Sequence, residues 1–260
     1  MTQRAPTRKE RRDQARAERV AREQEAARRA QFRRRLGILG GVVGLAIVAV
    51  VVAIALSSSG GSHKSSTTGQ TTSLFAGIPE KGITLGKPNA PVTLEEYGDL
   101  QCPFCREYTL NALPTLVRDY VRTGKVKMVF HNLSFIGPDS VTAGRVAQAA
   151  GMQNKLWPFI DRFYANQGQE NTGYVTRDFL DKVASQVPGL DKQKLFSDAD
   201  SAASQTGLAA ANASANTRGV KSTPRFFVSV NGKPAQELQP SSLTPGGFES
   251  QLNALLAKAT

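Results

Sequence analysis

The sequence predicts an α/β domain carried behind a single N-terminal transmembrane helix, and three observations predict it. Leu36 to Leu56 is an unbroken run of Gly, Ala, Val, Ile and Leu. From about Ala76 onward, strand-like alternation and helix-like spacing take turns along the chain. The two cysteines of the chain, Cys102 and Cys105, lie three apart, after a predicted strand and at the opening of a predicted helix.

The charge is concentrated at one end. Residues 1–35 hold 13 of the 33 Lys/Arg and 5 of the 21 Asp/Glu, so +8 of the formal +12 lies there. With few large apolar residues, Met1 to Arg35 reads as a solvated, partly helical, basic cytoplasmic tail attracted to anionic headgroups; a specific cytoplasmic partner is the alternative. The remainder has no basic patch that would argue for a nucleic-acid partner.

The apolar run covers 21 residues; at a rise of 1.5 Å per residue it spans about 31 Å, the thickness of a hydrocarbon core. Arg33, Arg34 and Arg35 abut its start and Ser57-Ser58-Ser59-Gly60-Gly61 its end. That asymmetry places the N-terminus in the cytoplasm and the rest outside, in a single-pass cell-membrane topology. Ala53-Ile54-Ala55 resembles a signal cleavage site, but the run exceeds the roughly 7–15 residues of a signal h-region, which favours an uncleaved anchor. No Cys stands near its end for lipid attachment, and Gly40 and Gly44 offer a weak helix-pairing motif. Residues 57–75 are rich in Ser, Thr and Gly, a flexible linker with a reach of roughly 25 Å.

In the domain, 76–260, Val92, Leu94 and Glu96 share one face of a short strand, Val92–Tyr97. A helix follows the cysteines through Leu110, Leu113, Leu116 and Val117 to about Arg122, and Val126–His131 reads as a second strand. A long helical region comes next. Ala143, Ala147 and Ala150 share a face in it, as do Leu156, Phe159, Ile160 and Phe163. Thr176 looks like the cap of a helix through Phe179, Val183 and Val187, and Ala202–Thr217 is helical by composition. Arg225–Val230 is strand-like, and Asn231-Gly232 is a hairpin turn. Thr244-Pro245 reads as cap and first-turn Pro of a last helix bearing Phe248, Leu252, Leu255 and Leu256.

Two cysteines at that spacing, between a strand and a helix, suit dithiol–disulfide exchange. The first sulfur meets unpaired N–H groups at the helix start, which favour the thiolate. Cys102 is thus expected to be the exposed nucleophile and Cys105 the buried resolving thiol, with Pro103 tolerated in the first turn. A structural zinc site would need four ligands, and the chain has two Cys and two His. So small a loop would gain little as an inert disulfide. No metal and no cofactor beyond the redox-active Cys102–Cys105 pair is expected.

Leu85-Gly86-Lys87-Pro88-Asn89-Ala90-Pro91-Val92-Thr93-Leu94-Glu95-Glu96-Tyr97-Gly98-Asp99-Leu100-Gln101-Cys102-Pro103-Phe104-Cys105 resembles the opening of DsbA-like thiol–disulfide oxidoreductases. Trp157-Pro158-Phe159 and Ser222-Thr223-Pro224-Arg225-Phe226-Phe227-Val228 look like later parts of that family. The resemblance covers about 80–260. It implies a thioredoxin-like fold with a helical insertion at about 139–218, a cis Pro224 beside the sulfurs with Thr223 before it, and Glu96 as a buried acid relaying a proton for Cys105. Glu95 and Asp99 compete with Glu96 for that role. His131 reads as structural.

The resemblance further implies an extracytoplasmic enzyme that forms disulfides in exported proteins. A quinone-linked membrane oxidase, of DsbB or vitamin-K-epoxide-reductase type, would then reoxidise it. Two departures bear on direction: Phe104 stands where the best-studied oxidases carry His, and Thr223 is also seen in isomerase-type relatives. A disulfide reductase or isomerase, or a tethered peptide-binding chaperone module, are the alternatives.

Overall fold

A computed structural model describes residues 74–259. The tail 1–35, the anchor Leu36–Leu56 and all but the last two linker residues lie outside the described residues. Among the described residues no helix is long and apolar enough to cross a membrane. Leu74 and Phe75, which the sequence pattern assigns to the linker, pack on the hydrophobic core, because Phe75 has a ring to bury.

The elements run β1 (Glu80–Lys81), β2 (Thr84–Leu85), β3 (Val92–Asp99), α1 (Pro103–Asn111), α2 (Leu113–Leu116) and β4 (Val126–Leu133). The helical insertion follows: α3 (Pro138–Met152), α4 (Leu156–Ala165), α5 (Arg177–Ala184), α6 (Lys192–Ala199) and α7 (Ala202–Thr217). β5 (Arg225–Val230), β6 (Gln236–Leu238) and α8 (Gly246–Ala257) complete the domain. The strands form one sheet in the order β1-β2-β4-β3-β5-β6. β3 and β4 are parallel and the other pairs antiparallel, so the fold is a thioredoxin-like α/β sheet with inserted helices.

Side-chain alternation divides the three central strands between two cores. Val92 and Leu94 of β3, Val126, Met128 and Phe130 of β4, and Phe226 and Val228 of β5 join the large core that also holds α1 and α8. Tyr97, Leu133 and Phe227 face the other way, onto Ala211 and Ala215 of α7. Glu96 has the parity of Leu94, so it points into the large core.

Several expectations are modified. The helix after the cysteines is interrupted at Ala112, since Pro114 has no N–H to give one turn back. A π turn at Val117–Val121 then ends it. The Thr176 hydroxyl accepts from the Phe179 N–H at 3.2 Å as expected, but α5 stops at Ala184, three residues before Val187. α6, which buries only Leu195, Phe196 and Ala199, was not singled out within the helical region; Asp191 caps it through the Lys194 N–H at 2.9 Å. Thr244 does not cap α8 with its hydroxyl, which pairs with Ser242 at 2.8 Å; its carbonyl accepts from the Gly247 N–H instead. Asn231 and Gly232 both have positive φ, as a tight hairpin turn requires.

Candidate active site

β3 and β4 run parallel, so the loops that follow them leave the same end of the sheet. The chain turns at that end with the Cys102 N–H donating to the Asp99 carbonyl at 2.9 Å. Cys102 has extended backbone angles, and Pro103 opens α1, where its missing N–H costs no helical hydrogen bond. Cys105 lies one turn further in and is buried. From the start of β5, the cis Thr223–Pro224 segment comes alongside, and the Cys102 thiol donates to the Thr223 carbonyl at 3.3 Å. Both cysteines are free thiols. Phe104 projects from the first turn of α1, 58% exposed. It borders a groove of about 300 Å³ lined also by Thr223, Pro224, Phe226, Leu238 and Leu243.

The two sulfurs differ electrostatically. The Cys102 thiol is lowered from 9.0 to about 6, chiefly by a hydrogen bond from the Cys105 thiol, against the opposing effect of burial. The Thr223 side chain and the backbone N–H groups of Cys105 and Phe104 lower it further. The depressed value is as expected; its main source is not, since the helix N–H groups contribute less than the second thiol. Cys102 is also less exposed than expected, at 5%, because Thr223 and the neighbouring loop close over it. Burial pushes Cys105 the other way, well above an ordinary thiol, and a charge on Cys102 adds to that.

Three acids stand in β3, and tertiary contacts sort them. Glu95 lies on the α7 side and accepts from Arg218 at 3.1 Å, with His131 Nε2 at 2.8 Å. Burial pushes its carboxyl up, but His131 and Arg218 together outweigh this and leave it below the ordinary value. His131 also stacks on Tyr97 at 4.3 Å, a structural role. Asp99 is buried and fully used. It accepts from the Gln101 N–H at 2.9 Å, the Ser140 hydroxyl at 2.6 Å, and the N–H groups of Phe135 and Ile136 at 3.1 and 3.3 Å. Glu96 alone of the three has neither carboxyl oxygen hydrogen-bonded, although it is 1% exposed. Burial raises its carboxyl well above the ordinary range, and charge on Cys102 raises it further, so it is protonated near neutrality. Gly98 provides the room: a Cβ there would stand 3.2 Å from Glu96 Oε1 and 2.7 Å from the Phe130 ring.

The sequence singled out none of the residues by which the helical insertion holds this loop. Gln167 donates to the carbonyls of Leu100 and Cys102 at 2.8 and 3.1 Å. Gln101 donates to Ser140 at 3.0 Å and accepts from the Asn171 N–H at 2.8 Å. Tyr164 donates its hydroxyl to the Asp99 carbonyl at 3.1 Å, while Arg106 donates to the Tyr164 carbonyl at 2.9 Å. Partners 39–70 residues apart leave no local signal. Tyr108 also escaped attention, yet its place one turn after Cys105 was readable from helical spacing. An arrangement with one acidic thiol, one buried thiol and a protonated carboxyl beneath can exchange a disulfide and supply the proton that exchange requires.

Residues 79–244 match the family model described as thioredoxin. The probable disulfide bond formation protein D of Bacillus cereus is 32% identical over 151 residues, covering 57% of this chain and 70% of that protein. Oxidised BdbD from Bacillus subtilis superposes with a TM-score of 0.59 at 21% identity, over 68% of this chain and 93% of that one. The alpha-DsbA1 of Wolbachia pipientis gives a TM-score of 0.59 at 19% identity, over 68% and 92%. At those identities the two structures speak for the fold.

Proposed function

The chain belongs to the thioredoxin family and is a DsbA-like thiol–disulfide oxidoreductase, and from that premise we propose that it works as a membrane-tethered dithiol oxidase forming disulfides in exported proteins. The observation that carries this reading is the asymmetry of the two sulfurs, an acidic Cys102 beside Thr223 and Pro224 and a buried, protonated Cys105 above Glu96. The relatives named for disulfide bond formation support the same direction. The Arg-flanked run Leu36–Leu56 supports a tether that keeps the domain beside the export route and beside a quinone-linked oxidant in the same membrane.

In the reaction a substrate thiolate attacks Cys102 Sγ of the Cys102–Cys105 disulfide, and a new S–S bond forms. Cys105 leaves with the electron pair of the broken bond and takes the proton of the Glu96 carboxyl. A second substrate thiolate then attacks the substrate sulfur of this mixed disulfide, and Cys102 leaves as a thiolate. The substrate has lost two electrons and the enzyme holds them as the dithiol. The acidity of Cys102 makes it the better leaving group, which drives release toward the substrate disulfide. The membrane oxidant removes the two electrons. Phe104 and Thr223 frame the exposed side of Cys102, where an extended substrate segment would lie.

Disulfide-coupled refolding of a reduced, exported-type substrate tests this reading. The wild-type chain in its oxidised form accelerates refolding and Cys102→Ser abolishes the effect. Retention of full activity by Cys102→Ser would replace the reading with a binding module. A Cys102–Cys105 potential at the thioredoxin end of a glutathione series would replace it with a reductase.

A further inference from the structure

Tyr108 lies three residues beyond Cys105 in α1, on the buried face of that helix. Its ring packs on Phe226 at 4.7 Å and on Phe248 at 5.3 Å between centroids. Phe226 is the residue directly opposite Glu96 in the β3–β5 pairing. Tyr108 therefore sits over the same part of the sheet as the acid, with Cys105 one helical turn away. Its hydroxyl is wholly buried and has no hydrogen-bond partner, as is true of both Glu96 carboxyl oxygens. Orphaned polar atoms of this kind are uncommon in a core and expensive to keep. The ring alone would fill the aromatic cluster, so packing accounts for a Phe here and leaves the hydroxyl unexplained. Burial, with charge on Glu96 and then on Cys105, pushes the phenol well above its ordinary range. It is therefore a donor at every pH at which the thiols work.

We propose that Tyr108 is a positioning residue for the proton step, its hydroxyl donating to the Glu96 carboxylate that remains once Cys105 has taken the proton. The inference rests on the reading of Glu96 as the acid for Cys105. While Glu96 is protonated, the carboxyl and the phenol are both neutral. When the disulfide opens, Cys105 gains the proton and a carboxylate is left in the core with neither oxygen hydrogen-bonded. A phenol that turns to donate to it stabilises that charge and makes Glu96 a stronger acid at the moment it acts. Solvent later returns the proton to Glu96, and the cluster is reset without change in charge.

The test is the rate at which reduced glutathione opens the Cys102–Cys105 disulfide, followed across pH in the full chain and in Tyr108→Phe. That substitution keeps the ring against Phe226 and Phe248 and deletes an unpartnered hydroxyl, so the melting temperature stays the same or rises. Opening is expected to slow on the order of tenfold, the cost of a lost hydrogen bond to a charged group. The Glu96-dependent limb of the profile moves to higher pH, while the alkylation profile of Cys102 in the reduced protein stays in place. Glu96→Gln slows the same step, and adding Tyr108→Phe to it has no further effect. An unchanged Tyr108→Phe profile beside a slowed Glu96→Gln overturns the role of Tyr108 and leaves the acid in place. Profiles unchanged in both variants overturn the two together. Failure of glutathione to open the disulfide at any pH overturns the exchange chemistry itself.

Discussion

Ionisation of Cys102 has a calculable effect on how oxidising the pair is. The thiol falls from 9.0 to about 6, led by the hydrogen bond from Cys105. At pH 7 roughly ten molecules carry the thiolate for each that carries the thiol. Relative to an unperturbed thiol, the reduced protein then gains about 1.4 kcal/mol, which is about 30 mV for a two-electron couple. Thioredoxin and a strong oxidase of this fold differ by about 150 mV, so acidity at Cys102 covers only about a fifth of that span. The perturbation to make is Thr223→Val, which removes the second-largest contribution to the lowered value and leaves the Cys105 thiol in place. If the thiol rises to about 7, the gain at pH 7 shrinks by about 1 kcal/mol, and the couple falls by about 20 mV. Alkylation rate or thiolate absorbance against pH reads the titration, and a glutathione series at pH 7 reads the potential. The sign follows from linkage: a depressed thiol stabilises the folded reduced state above the ordinary thiol range, and that stability is lost as pH falls through about 6. A Cys102 inflection at or above the free-thiol value of about 8.5 would refute the reasoning. So would a Thr223→Val protein whose titration and potential both stay at the wild-type values.

Phe104→His places a donor and a titratable charge beside Cys102 at a position already 58% exposed, so stability changes by less than about 0.5 kcal/mol. The Cys102 titration moves lower and the potential rises; a fall in potential would count against it. Glu80 is held by the Trp157 N–H at 3.1 Å, and burial raises its carboxyl to about 7. The folded protein binds that proton more tightly than the unfolded chain, so stability falls by up to about 3 kcal/mol as pH rises from about 4.5 to 7. Urea unfolding at pH 5 and pH 8 measures this, and Glu80→Gln, which keeps the acceptor, removes the difference. Gly98→Ala sets a methyl 2.7 Å from Phe130 and 3.2 Å from Glu96 Oε1. It costs about 1–3 kcal/mol, at about 2–4 °C of melting temperature per kcal/mol, and an unshifted melting curve would show that the site has slack.

Most of the architecture was readable because its signals are local. Period-two alternation marked Val92–Tyr97, Val126–His131 and Arg225–Val230, and each strand is present, the first two extended by two residues. Composition marked α7 from Ala202 to Thr217 with its ends in place. Elements of two or three residues (β1, β2 and β6) lack the length for any period, and the break at Ala112 depends on a single proline inside an otherwise helical pattern. Cys102 and Cys105 were evident from spacing, and the Thr223–Pro224 segment from resemblance.

What the sequence determined by itself is the chemistry on offer: a dithiol at the junction of a strand and a helix, with an acid on the inward face of that strand. Side-chain parity is a property of the extended backbone, so Glu96 had to point where Val92 and Leu94 point. Only the tertiary structure decided which carboxyl stays free. Glu95 is taken by His131 and Arg218, 36 and 123 residues away, and Asp99 by donors 36 to 41 residues away, apart from the nearby Gln101 N–H. Glu96 is left protonated in the core, with neither of its oxygens hydrogen-bonded. A carboxyl's proton affinity is set by the groups that fold against it, and no spacing along the chain records them.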